Sequence, residues 1–190
     1  GVTLAMLLTA VFKVLLCRLS GRAELRIGVT AANRRRRETE SLVGFFVNML
    51  VLQTRMGIDT SFADFLKDVR QVSLDASEHQ DLPFEQLVEA LQPERSAGEN
   101  PLFQVAFNHQ LQSRLEVDAF DGLRCDSPIW HMQSTQFDLI LHTQEAPDHL
   151  TASFSYAADL FDAATIERMA DQWTRLLEAV VADPTQRIAE

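Results

Sequence analysis

At 190 residues the chain is long enough to bury a full core, and its length favours one domain. With 46% apolar and 23% charged residues it has the composition of a globular protein, which excludes disorder and fibrous structure. A formal charge of -10, from 27 acidic and 17 basic side chains, repels phosphate backbones and argues against nucleic acid as a partner.

Residues 2–19 are strongly apolar. Lys13, Thr3 and Thr9 interrupt them, and they fall short of the roughly 20 apolar residues that cross a bilayer. No basic start and no small-residue cleavage site marks a secretory signal. Leu4, Leu7, Leu8, Val11, Leu15 and Leu19 recur at helical spacing, so a buried core helix is expected, closed by Arg18 and Gly21. Because the helix starts directly at Gly1, upstream sequence is expected to have been removed. Residues 24–29 alternate, with Leu25, Ile27 and Val29 on one face of a strand.

A polar loop over residues 32–41 leads into residues 42–55, an apolar run that predicts a strand covered on both faces. Asp59, Thr60 and Ser61 cap a helix carrying Phe62, Phe65, Leu66, Val69, Val72 and Leu74. Pro83 opens a short helix with Phe84, Leu87, Val88 and Leu91 inside. Residues 102–108 read as a central strand rich in aromatic and β-branched side chains. A weaker pattern follows over residues 110–128. Residues 137–143 and 150–156 then form a hairpin, and Asp162 caps a last helix with Ile166, Met169, Trp173, Leu176, Leu177 and Val180 inward. The order α, β, β, α, α, β, β, β, α predicts an α/β fold, a mixed sheet covered by helices, over residues 1–182.

Chemistry-bearing motifs are sparse. The seven glycines form neither a dinucleotide fingerprint nor a phosphate loop, and no Gly-x-Ser-x-Gly turn occurs. Cys17 and Cys125 lack metal-ligand spacing and read as reduced packing residues of a cytoplasmic protein. His79, His109, His131, His142 and His149 show no helical metal-pair spacing, so no metal site is expected. Of these, His79 stands at a helix-to-helix corner, where it ties down the chain more naturally than it serves as a base. Arg34, Arg35, Arg36 and Arg37 precede Glu38 and Glu40, which fits either a solvated loop with local ion pairs or contact with an anionic group such as a phosphate. Asn48 lies amid Phe45, Phe46, Leu50 and Leu52, where an unpaired amide costs about 1–3 kcal/mol. It either pairs with backbone or faces a channel and binds substrate.

Three ordered segments carry a resemblance. Val43-Gly44-Phe45-Phe46-Val47-Asn48-Met49-Leu50-Val51-Leu52, His79-Gln80-Asp81-Leu82-Pro83-Phe84-Glu85, and Arg95-Ser96 with Asn100-Pro101-Leu102-Phe103 resemble successive motifs of the condensation domains of nonribosomal peptide synthetases. Gly28-Val29, Ala32-Asn33-Arg34, Phe107-Asn108-His109-Gln110 and Phe137-Asp138-Leu139 extend the resemblance over nearly the whole chain.

The resemblance implies the C-terminal one of two chloramphenicol acetyltransferase-like lobes facing each other across a tunnel. The family's catalytic His-His-x-x-x-Asp-Gly motif belongs to the other lobe and is absent from this sequence, so no catalytic residue is expected here. Phe46 and Asn48 would lie near the tunnel. Asn33, Arg34, Arg36 and Glu40 would belong to the loop flooring it, and Leu115, Val117 and Leu123 to a latch that crosses to the other lobe. The implied partners are that N-terminal lobe, donor and acceptor carrier proteins bearing phosphopantetheine, and an adenylation domain reached through residues 183–190. The implied activity is acyltransfer with amide formation, as in antibiotic or siderophore assembly, with this lobe inactive alone. A non-catalytic docking module, or the same lobe of an epimerization or cyclization domain, fits the same residues.

Overall fold

The computed structural model describes residues 1–34, 36–39, 41–57, 59–92, 100–111 and 135–189. Its elements are α1 (Leu4–Ser20), β1 (Glu24–Ala31), a 3-10 turn (Arg37–Thr39), β2 (Asn48–Arg55), α2 (Phe62–Glu78), α3 (Phe84–Leu91), β3 (Val105–Leu111), β4 (Leu139–Glu145), β5 (Leu150–Tyr156) and α4 (Ala163–Ala182). The strands form one mixed sheet in the order β2-β1-β3-β4-β5, parallel at β1–β3 and β3–β4 and antiparallel at both margins. This is the α/β mixed sheet that the element order predicts.

Strand periodicity divides the side chains between two faces. Leu50, Val29, Phe107, Leu141 and Phe154 share one rung. Of these, Val29, Phe107, Leu141 and Phe154 pack under α1, α2 and α4 in the main core, together with Phe12, Phe65, Met169 and Trp173. α1 lies between α2 and α4 and is enclosed from Leu8 through Leu15, which explains why its sequence is apolar on every side. No helix among the described residues is long and apolar enough to cross a membrane. Among the described residues the opposite face carries only α3, which packs with Leu102, Phe103 and Ala106 in a second, smaller cluster.

Caps follow the expected chemistry. Ser61 Oγ accepts from Asp64 N, and Asp162 Oδ1 accepts from Thr165 N. Gly21 takes the left-handed conformation at φ 68° that ends α1. Arg18 donates to Ile188 O at 2.7 Å, and Phe62 N and Ala63 N donate to Gln186 O and Pro184 O, so the last residues lie against the start of α2.

Two boundaries differ from the sequence reading. The run at residues 42–55 is not one covered strand: only Asn48–Arg55 pairs, at the sheet edge, and Val43 and Phe45 are 104% and 93% exposed. The ladder stops at Ala31↔Asn48 because β1 ends there, leaving residues 42–47 with no strand opposite. The strand expected at residues 102–108 begins at Val105, since Asn100 Oδ1 accepts from Leu102 N and Phe103 N and holds that stretch in a turn. Leu91, expected on an inner face, is 60% exposed.

Candidate functional site

The face that α3 leaves uncovered contains a cavity of about 580 Å³. Its floor is the sheet, through Thr30, Ala106, Asn108, Ile140 and His142, and its walls come from Phe46, Asn48, Phe84 and Phe137. Apolar rings with a few hydrogen-bonding groups are the usual make-up of an organic ligand site.

Asn48 belongs to this wall, yet both ends of its amide are engaged. Nδ2 donates to Gln80 O at 2.8 Å and Leu82 O at 2.7 Å, while Oδ1 accepts from Met49 N and Phe84 N. The backbone-pairing alternative is therefore realised, with a segment more than 30 residues away. One side chain ties the start of β2 to the corner between α2 and α3, and so binds two of the sequence motifs together. His79, expected to secure that corner, is exposed, and its ring makes no hydrogen bond among the described residues. Asn48→Ala is expected to cost about 2 kcal/mol, because it removes the partner of four backbone groups. Urea unfolding checks this, and a loss under about 0.5 kcal/mol, the range of ordinary surface changes, would contradict it.

Phe46 lines the cavity beneath the Arg34 guanidinium, which stands 4.2 Å from the ring centroid and also donates to Thr39 O. Asn33, at φ 51°, lines the cavity as well. Asn33 and Arg36, with Thr39 and Asp81, border an adjoining space of about 550 Å³. Within the described residues, Arg34, Arg36 and Arg37 make no ion pair with Glu38. Glu40, Arg95, Ser96, Leu115, Val117, Leu123, Cys125 and His131 lie outside the described residues.

The histidines separate by face. His109 donates or accepts at Thr143 Oγ1 across 2.9 Å and stands 3.4 Å from Glu145, on the helix-covered side. His149 pairs with Asp148 at 2.7 Å in the hairpin turn. His142, which the sequence did not single out, faces the main cavity, and burial lowers its pKa below the usual value. Strand parity offered a signal, because Ile140 and His142 alternate with Leu139 and Leu141, but only the register tells which parity meets the helices. Cys17 is a free thiol whose pKa burial raises, more than the Arg18 charge lowers it. No cluster of three metal-ligating side chains occurs among the described residues.

Comparison with known proteins gives the setting of this cavity. The chain is 45% identical over 192 residues to a linear gramicidin synthase of Brevibacillus parabrevis, covering 99% of this chain and 2% of that protein. It is 40% identical to chondramide synthase of Chondromyces crocatus, covering 100% of this chain and 5% of that protein. The chain thus spans a small fraction of the curated relatives it matches. A four-domain nonribosomal peptide synthetase bound to AMP and glycine superposes with a TM-score of 0.87 at 27% identity, covering 99% of this chain and 15% of that one. The X-domain from teicoplanin biosynthesis, in complex with OxyB, superposes at 0.88 with 26% identity, covering 100% of this chain and 42% of that one. The condensation-domain family model matches residues 1–190, the whole of this chain. With the mixed sheet in place, the chain belongs to the condensation-domain family of nonribosomal peptide synthetases.

Proposed function

We propose that this chain is the C-terminal, chloramphenicol acetyltransferase-like lobe of a condensation domain, supplying one wall of a chamber in which an amide bond forms. The observation that carries the reading is the open cavity on the uncovered sheet face, walled by Phe46, Asn48 and Phe84 from two of the family-like motifs. In the reaction, the amine of an aminoacyl group on an acceptor carrier forms a C–N bond to the thioester carbonyl on a donor carrier. The C–S bond breaks, and the proton lost by the amine balances the departing pantetheine thiolate. Phosphopantetheine remains on the carriers throughout.

This chain positions substrate, while the residues that move the proton belong to an N-terminal lobe. Asn33, Arg34 and Arg36 belong to the floor loop; Glu40 of that loop, and Leu115, Val117 and Leu123 of the latch implied by the resemblance, lie outside the described residues. Residues 183–190 begin the path to an adenylation domain, with Pro184, Gln186 and Ile188 held against the start of α2. The assembly works in the cytoplasm.

Mass spectrometry of carrier-bound products tests the reading. With both lobes and both loaded carriers, the acceptor carrier gains the acyl mass; hydrolysis without transfer would contradict it.

A second reading has its own support. The match to the X-domain in its complex with OxyB supports a docking module. Saturable carrier binding, combined with no product when an N-terminal lobe is present, would select that reading.

A further inference from the structure

A polar rung crosses the floor of the cavity. Asn108 stands opposite His142, and His142 opposite Ser153. Thr30 joins from β1, donating from Oγ1 to Asn108 Oδ1 at 2.7 Å. In the neighbouring rung on the same face, Gly28, Ala106 and Ile140 bring no hydrogen-bonding side chain, and the rung ends at Ser155 on β5. Around both rungs the walls are aromatic, through Phe46, Phe84 and Phe137. Among the residues that line the cavity, Thr30, Asn108 and His142 form one line of hydrogen-bonding side chains across its floor, with Asn33, Asn48, Asp81, Glu85 and Gln136 around it.

The line is also incomplete in a specific way. Thr30 occupies the oxygen of Asn108 and so presents the Nδ2 donor as the free end of that amide. The His142 ring makes no hydrogen bond among the described residues, although it is half-buried. Burial holds its pKa below the usual value, so at pH 7 the ring is neutral, with one N–H donor and one lone-pair acceptor. Adjacent strands are about 4.8 Å apart, which places the two groups side by side. Donors next to an acceptor complement a secondary amide, whose carbonyl accepts and whose N–H donates. A hydrocarbon chain offers neither, and half-buried polar groups left without partners against it would count against its binding.

We propose that Asn108 and His142 are a specificity-determining pair that hydrogen-bonds an amide of the bound acyl chain, so that the cavity selects a peptidyl substrate over a plain fatty acyl one. The proposal rests on the amide-forming reading above and adds the substrate class to it. His142 acts by binding, as a neutral ring, and takes no proton from the reacting amine.

The test compares two donor thioesters of matched length on the same carrier, an N-acetyl-dipeptidyl and an n-alkanoyl chain, in the intact two-lobed domain. The readout is the ratio of their kcat/KM values. His142→Phe is expected to lower the peptidyl-to-alkanoyl ratio about five- to tenfold, the worth of one or two neutral hydrogen bonds, mainly through KM of the peptidyl donor. His142→Gln, which keeps a donor and an acceptor, is expected to retain the ratio within about twofold, and Asn108→Leu to lower it as His142→Phe does. A ratio unmoved by His142→Phe and Asn108→Leu, in variants whose thermal unfolding matches the parent, overturns the pair. So does an equal loss on both donors. If the parent domain forms amide from neither donor, the reading beneath fails and takes this proposal with it; amide formation with an unmoved ratio sinks the pair alone.

Discussion

Gly28→Val is expected to cost about 3 kcal/mol, lowering the Tm by roughly 6–12 °C. A Cβ at Gly28 would stand 2.1 Å from Phe103 Cε2 and 2.3 Å from Cζ, distances that no side chain tolerates. Phe103 cannot yield easily, being 1% exposed and packed against the rings of Phe84 at 5.7 Å and Phe137 at 5.2 Å. Moving it pushes on two cavity walls, so the same substitution should disturb the site as well as the core. The compensating variant isolates the cause: Gly28→Ala with Phe103→Leu should unfold above Gly28→Ala alone, because the shorter side chain vacates the collision. Thermal unfolding reads both, and an unshifted Tm in Gly28→Val would contradict this packing.

The second large effect concerns Lys13. It is 0% exposed, and its Nζ donates to Leu25 O at 3.2 Å, Leu52 O at 2.8 Å and Thr54 Oγ1 at 2.9 Å. Three acceptors match the three N–H bonds of an ammonium, but among the described residues no carboxylate pairs with it. Burial therefore dominates and lowers its pKa to about 7. The sign follows from proton counting. Between pH 7 and pH 10.5 the unfolded chain binds a proton at this site that the folded chain does not, so the folded state gains stability as pH rises through that window. Below it both states are charged and the penalty is constant. The gain across the window is on the order of 4 kcal/mol. Lys13→Met keeps the stem and removes the titration. Urea unfolding at pH 7, 8.5 and 10 should show the parent gaining on the variant at each step, whereas parallel profiles would mean that the three oxygens hold the proton in place.

Lys13 also shows where sequence reasoning stops. Within an apolar segment it reads as an interruption, evidence against a membrane span. The structure instead encloses it, along with Thr9 at 3% exposure, because α1 is covered by two helices and the sheet at once. Helical spacing reveals a stripe facing one neighbour; it does not reveal a helix with neighbours all round. Element order, by contrast, was legible throughout, since caps at Ser61 and Asp162 and the alternation in β1 depend only on residues close in sequence. The boundary at residues 42–47 was not, because being paired depends on where the partner strand ends.

The same distinction applies to the cavity. Phe46, Asn48 and Asn33 were singled out from the sequence, and all three line it. His142 was not, since nothing local says which face of β4 meets the helices. Asn48 was recognised as needing partners, but those partners, at Gln80, Leu82 and Phe84, come from a corner that sequence distance hides.

The most direct measurement of the central claim is condensation by this chain alone and after complementation in trans with an N-terminal lobe carrying the His-His-x-x-x-Asp-Gly motif, using loaded donor and acceptor carriers. The account predicts no amide product from the chain alone and product once the second lobe is added. Turnover by the isolated chain, at a rate that the added lobe does not change, would contradict it.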